Sequence, residues 1–233
     1  MRLFCLILSV GTAACASAPQ AELGAKAPDA VRVEGEVERF DIANRLEVQI
    51  DVSAGAAYTI TFARVSGSFN FAPKTPEASA IEIVIDTTSA QASWDVVADV
   101  AKAEFLHTAQ FPEARFASRA LRKKVEGGLM LYGDLSLHGK TIGLSVPLTL
   151  SVTRCNLGVG TEFAIDRRAF GAVSTGSVDA VVSDNVVVRI QGTLPRKGLK
   201  CPQGEAAPKP PEPAKPVEIG PSEYPVPESG ARE

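Results

Sequence analysis

Leu129-Met130-Leu131-Tyr132-Gly133-Asp134-Leu135-Ser136-Leu137-His138-Gly139-Lys140-Thr141-Ile142-Gly143-Leu144-Ser145-Val146-Pro147-Leu148-Thr149-Leu150-Ser151-Val152 is the stretch that decides the fold. Leu129, Leu131, Leu135 and Leu137 alternate with Met130, Tyr132, Asp134, Ser136 and His138. After Gly139-Lys140 the alternation resumes, with Ile142, Leu144, Val146, Leu148, Leu150 and Val152 on one face. A period of two on both sides of a short glycine-containing turn is the pattern of a β-hairpin with one buried face.

Working outward, the same period recurs along most of the chain. Leu46, Val48, Ile50 and Val52 alternate with Glu47, Gln49 and Asp51; Tyr58, Ile60 and Phe62 alternate with Thr59 and Thr61. Val65 to Phe71 continues around Gly67, and Ile81, Ile83 and Ile85 follow. Val31 to Arg39 reads as a weakly alternating edge segment, Phe116 to Leu121 and Glu162 to Asp166 as strands, and Val178 to Gln191 as a last strand broken at Ser183-Asp184-Asn185. Regular strands with turn signals between them predict an all-β, antiparallel sandwich or barrel. One segment departs from this pattern. Ser93 to Lys102 starts with a serine able to cap, has acidic residues early and lysine late, and is predicted as a short helix across a barrel end.

The ends read differently. Arg2 followed by the short apolar stretch Leu3–Val10 predicts a signal peptide over residues 1–14, too short to span a bilayer. Thr12-Ala13-Ala14-Cys15 places small residues before a cysteine and resembles a lipobox, with Cys15 as the lipidated residue, although leucine is preferred where Thr12 stands. The alternative is an ordinary cleaved signal. Residues 15–30 read as a flexible tether and 31–201 as the barrel domain. From 202 to 233 the chain holds nine of its 16 prolines, a composition that predicts a disordered tail and a possible contact with an envelope partner. Cys155 and Cys201 remain for the exported domain, where they are expected to pair. Closing a loop of about 46 residues would stabilise the fold by about 4 kcal/mol in the chain-entropy model.

Composition narrows the function classes. A net charge of −3 without a basic cluster gives no support for nucleic-acid binding. His107 and His138 are the sole histidines, so neither a metal site nor a hydrolase triad is expected. His138, opposite the hairpin leucines, is expected to bond to turn backbone or a neighbouring strand, and His107 to lie at the surface. No glycine-rich loop opens a helix in a βαβ unit, so dinucleotide or nucleotide binding has no support.

Several segments taken together resemble the YceI family of bacterial envelope proteins. They are Phe111-Pro112-Glu113-Ala114-Arg115-Phe116, the Leu135 to Thr141 hairpin, and Phe163-Ala164-Ile165-Asp166-Arg167-Arg168-Ala169-Phe170-Gly171. Ile81 to Asp86, Glu104-Phe105-Leu106 and Val182 to Val186 extend the match, which covers Phe40 to Gly192. Two stretches depart from it: Asn44-Arg45-Leu46 and Gly55-Ala56-Ala57-Tyr58 stand where many members carry histidines, so head-group contacts made there do not transfer. The resemblance implies a lipocalin-like antiparallel barrel of about eight strands. It also implies a non-catalytic role, holding a polyisoprenoid, a quinone or another long-chain lipid in the periplasm. No other cofactor is implied. Phe69, Trp94, Phe105, Phe111, Phe116 and Phe170 are the candidate lining residues. The competing expectation is a packed barrel that serves as an interaction module, since a small barrel can fill its own interior.

Overall fold

The computed structural model describes residues 18–28, 36–124 and 128–196. The expected signal peptide, Cys15, Val31 to Gly35, Cys201 and the Pro-rich tail lie outside the described residues. Twelve strands occur among those described, in chain order β1(Glu22–Leu23), β2(Glu38–Asp41), β3(Leu46–Ser53), β4(Ala57–Phe62), β5(Val65–Phe71) and β6(Ala80–Asp86). Then come β7(Ala90–Ala92), β8(Glu113–Lys123), β9(Leu129–Leu137), β10(Lys140–Val152), β11(Asn156–Asp166) and β12(Asn185–Pro195). They form one antiparallel sheet in which eleven run in the order β2-β5-β6-β8-β9-β10-β11-β12-β3-β4-β7, and β1 pairs with β10 off this path.

This sheet curls into a lipocalin-like barrel because each long strand buries alternate residues. Ile81 and Ile83 on β6, either side of Glu82, Leu144, Val146 and Leu148 on β10, and Val186 and Val188 on β12, either side of the half-buried Val187, all point inward. The outer face carries charge instead: Arg189 on β12 reaches Glu162 on β11 and Asp51 on β3, each at 2.7 Å. Closure comes from packing at the end of the sheet, where β2 touches β12 and β3 touches β5. Arg196, just past β12, pairs there with Glu38 of β2 at 2.8 Å.

The hairpin turns one residue earlier than the alternation suggests. Leu137 pairs with Lys140, so His138 and Gly139 form the two-residue loop, at φ of 53° and 73°. Positive φ at both loop residues is the primed turn that matches strand twist, and Gly139 adopts it without strain. The helix is α1(Asp95–Val100), continued by a π-helical turn over Ala101–Phe105. Its N-cap is Trp94, which makes no side-chain capping bond, so the serine cap expected at Ser93 does not form. Residues 177–181 are a 3-10 turn rather than the start of the last strand, which begins at Asn185. Arg167 explains that difference, as described below.

Residues 18–28 are not a free tether. Strands β10 and β11 pair only over Thr149–Val152 with Leu157–Gly160 and splay apart beyond, leaving a seam. The N-terminal stretch fills it. On one side Leu23 and Glu22 pair with Leu144 and Ser145 of β10, and on the other Ala21 N–H donates to Ala164 O at 2.7 Å. Ala164 N–H donates in turn to Pro19 O at 2.7 Å, so the strap satisfies backbone groups of both strands.

Candidate functional site: an apolar cavity in two compartments

Inward-facing residues of nine strands, β3 to β6 and β8 to β12, surround an inner cavity of about 100 Å³. Its wall is almost wholly aliphatic and aromatic, with Ile83, Phe116, Leu131, Val146 and Phe163 among the lining residues. Thr87 and Thr161 are the polar exceptions, and both hydroxyls are engaged, donating to Phe111 O at 2.7 Å and Pro147 O at 2.6 Å. A second cavity of about 330 Å³ lies under α1 and the 3-10 turn, lined by Val52, Tyr58, Val97, Phe105 and Val182 among others. Ile50, Phe62, Leu106, Leu137 and Ile165 line both compartments and make up their shared apolar boundary, the throat.

One charged side chain reaches the outer wall. Arg167 is buried, and its five N–H groups are all spent on protein acceptors. Nε donates to Ser183 O, one terminal nitrogen to Ala172 O and Asp179 Oδ1, and the other to Asp179 O and Val182 O. Its guanidinium carbon stands 5.2 Å from the centre of the Phe105 ring. The hydrogen-bonded Arg167 holds the Asp179 carboxyl below its ordinary value. Residues 172–184 therefore fold around a cation as a loop, although Val178, Val181 and Val182 have the side chains of a strand.

The expected lining residues separate by position. Phe69 and Phe116 stand at the inner wall, Phe105 at the outer wall. Phe116 lies across Gly133 of β9, whose missing side chain makes room: a Cβ there would come 2.4 Å from the ring and 2.6 Å from Ala117 O. Phe170 is fully buried in the core but lines neither compartment. Phe111 packs against the His138 ring, centroids 4.5 Å apart. Trp94 is 66% exposed, 6.5 Å from the Tyr58 ring at the barrel end, and lines neither compartment. The aliphatic residues of the throat were missed as a group, although their strand alternation places most of them inward.

His107 is not a simple surface residue. It is half-buried, and its Nδ1 lies 2.8 Å from Nε2 of His138. Burial, and next the neighbouring charges of His107 and Lys140, push His138 below the usual imidazole value, against a hydrogen bond with the Phe170 backbone that favours protonation. No group of three or more His, Cys, Asp or Glu side chains able to hold a metal ion occurs among the described residues. Cys155 is buried at the β10–β11 turn, and its expected partner Cys201 lies outside the described residues.

The YceI-like domain family model matches residues 40–194, the segment that builds the barrel and both compartments. The chain belongs to the YceI family. Among curated relatives, a UPF0312 protein of Pseudomonas putida is 35% identical over 120 residues, 49% of this chain and 58% of that protein. Protein YceI of Escherichia coli is 35% identical over 82 residues, 35% of this chain and 42% of that protein. The chain thus aligns with roughly half the length of these YceI relatives. Among solved structures, BcnA of Burkholderia cenocepacia superposes with a TM-score of 0.59 at 22% identity, covering 64% of this chain and 95% of that one. A polyisoprenoid-binding domain of Saccharophagus degradans, implicated in plant cell wall breakdown, superposes with a TM-score of 0.53 at 15% identity, covering 69% and 99%. At such identities these likenesses establish the YceI fold.

Proposed function

We propose that this YceI-family protein is a non-catalytic carrier that holds a neutral long-chain lipid, of polyisoprenoid or quinone type, in its barrel. The observation that carries this reading is an apolar interior of two adjoining compartments that share five lining residues. A chain lying in it would gain about 0.8 kcal/mol per methylene removed from water. Among the described residues the walls present no unpaired cation, since Arg167 is saturated, and no nucleophile beside a base, which favours a neutral ligand held without a covalent step. The polyisoprenoid-binding domain of Saccharophagus degradans, on the same fold, supports the ligand class. Export, lipidation at Cys15, a Cys155–Cys201 disulfide and an envelope partner for the tail belong to the same proposal and rest on the sequence pattern.

The small inner volume favours a second reading, a packed barrel acting as an interaction module, because drug-sized ligands occupy pockets of roughly 300–1,000 Å³. Only the outer compartment reaches that range. Ala114 separates the two readings. It is buried at the inner wall, and Ala114→Phe fills the space there. A carrier loses binding of an added prenyl alcohol by at least about tenfold, measured by fluorescence displacement, while the variant stays folded at an overpacking cost of no more than about 1–3 kcal/mol. A wild-type protein that binds no prenyl alcohol would leave the packed module standing.

A further inference from the structure

We propose that the hydrogen bond between His107 and His138 is a proton-sensitive latch on the throat of the cavity. It holds while at least one imidazole is neutral, and it parts when both carry a proton.

The latch joins two different parts of the chain. His107 follows the π-helical turn that continues α1, and the residue before it, Leu106, lines both compartments. His138 is in the hairpin loop, and the residue before it, Leu137, also lines both. Parting the rings therefore frees one throat residue from the other. Both histidines hold positive φ, 44° and 53°; at His138 the primed hairpin turn sets it, and at His107 it is the less common left-handed conformation that histidine tolerates.

The direction of the bond follows from the surroundings. His138 uses its remaining ring nitrogen for the Phe170 backbone, and because that bond favours the protonated ring its partner is the carbonyl. Neutral His138 therefore offers a lone pair at Nε2, and His107 Nδ1–H donates to it. One proton added to the pair, at His107 Nε2, leaves the Nδ1–H donor and the His138 Nε2 acceptor in place. A second proton leaves two N–H groups facing each other at 2.8 Å with two positive charges, and the contact cannot persist. The charged groups around the pair do not offset this. Lys140 faces it from the hairpin and donates to Ala169 O at 3.3 Å. On the α1 side Lys102 and Asp99 share a surface groove with His107 and pair with each other at 3.7 Å, while Glu104 accepts from Ser174. Among the described residues no carboxylate bonds to either imidazole.

The sign follows. A histidine held below its usual value of 6.5 binds protons less readily in the closed form, so closure is complete above that value and weakens as pH falls below it. The role of the latch in release rests on the carrier reading above; the opening itself does not. The test is NMR of the full chain from about pH 7.5 to about pH 5, following both imidazole rings and the amides of Leu106, Phe111 and Gly139. It is paired with the off-rate of geranylgeraniol at the two ends of that range. We expect the rings and the three amides to shift together, and the off-rate to rise about tenfold in acid, as loss of one buried hydrogen bond implies. His107→Asn and His138→Asn each keep a residue tolerant of positive φ without a titrating ring, and should flatten both responses. Rings that titrate without any change at the amides, or an acid response that survives in both variants, would overturn the latch. A protein that never binds geranylgeraniol would remove the carrier reading, and the ring and amide shifts would then decide the latch alone.

Discussion

Phe116 and Gly133 work as one unit, a ring laid across a strand position that has no side chain. Gly133→Val pushes a branched side chain into the ring and the Ala117 carbonyl, and should destabilise the barrel by about 1–3 kcal/mol in chemical denaturation. Shortening a wall residue acts in the opposite sense: Leu144→Ala should cost about 2–5 kcal/mol, with the upper end expected if the barrel cannot relax around the new space. At this scale the sequence was readable wherever a residue sat inside a strand. Phe69 and Phe116 stand on inward positions of β5 and β8, so their period fixes their direction. Trp94, Phe111 and Phe170 lie in caps and turns, where no period points the side chain. The contact between His107 and His138 joins residues 31 apart in different elements, and nothing in the local pattern announces it.

Among the elements, the segment around Arg167 departs most from its sequence pattern. Val178 to Val182 reads as strand, yet five donors on one guanidinium draw the backbone carbonyls of Ala172, Asp179, Val182 and Ser183 inward and bend the chain. Arg167→Met should leave these four carbonyls without their partner, each buried orphan costing about 1–3 kcal/mol, and should loosen the roof of the outer compartment. A rise in hydrogen exchange confined to residues 172–184 would check it. Acid should act on the same element. The Asp179 carboxyl, held down by Arg167, adds stability that is fully present above its ordinary value of 3.8 and is lost as pH falls through the lower folded value. Asp179→Asn should therefore be less stable than the wild type near neutrality and equal to it in strong acid, as thermal melts across pH would read. The strands themselves were legible because alternation over seven or more residues is hard to mistake; the helix was legible in place but not in its cap, since Trp94 rather than Ser93 occupies that position.

For the whole molecule, the barrel depends on a strap that composition alone would assign to a linker. Residues 19–24 complete the seam between β10 and β11, and a chain lacking residues 18–24 should expose backbone groups at Gly143 and Ala164 and exchange amides along both strands faster. Hydrogen exchange that stays unchanged in that truncation would show the seam to be closed without it. Such closure was not legible, because a two-residue strand carries too little pattern to be seen and its partners are more than a hundred residues away. The alternation of the long strands, in contrast, marks the interior as apolar in the sequence itself, and the central proposal rests on that interior being occupied. The most direct measurement is native mass spectrometry, with lipid extraction, on protein purified gently from its own host. A carrier should arrive with about one neutral isoprenoid-like molecule per chain, released on denaturation. An empty barrel that also takes up no added isoprenoid would contradict the carrier reading and leave a packed envelope module in its place.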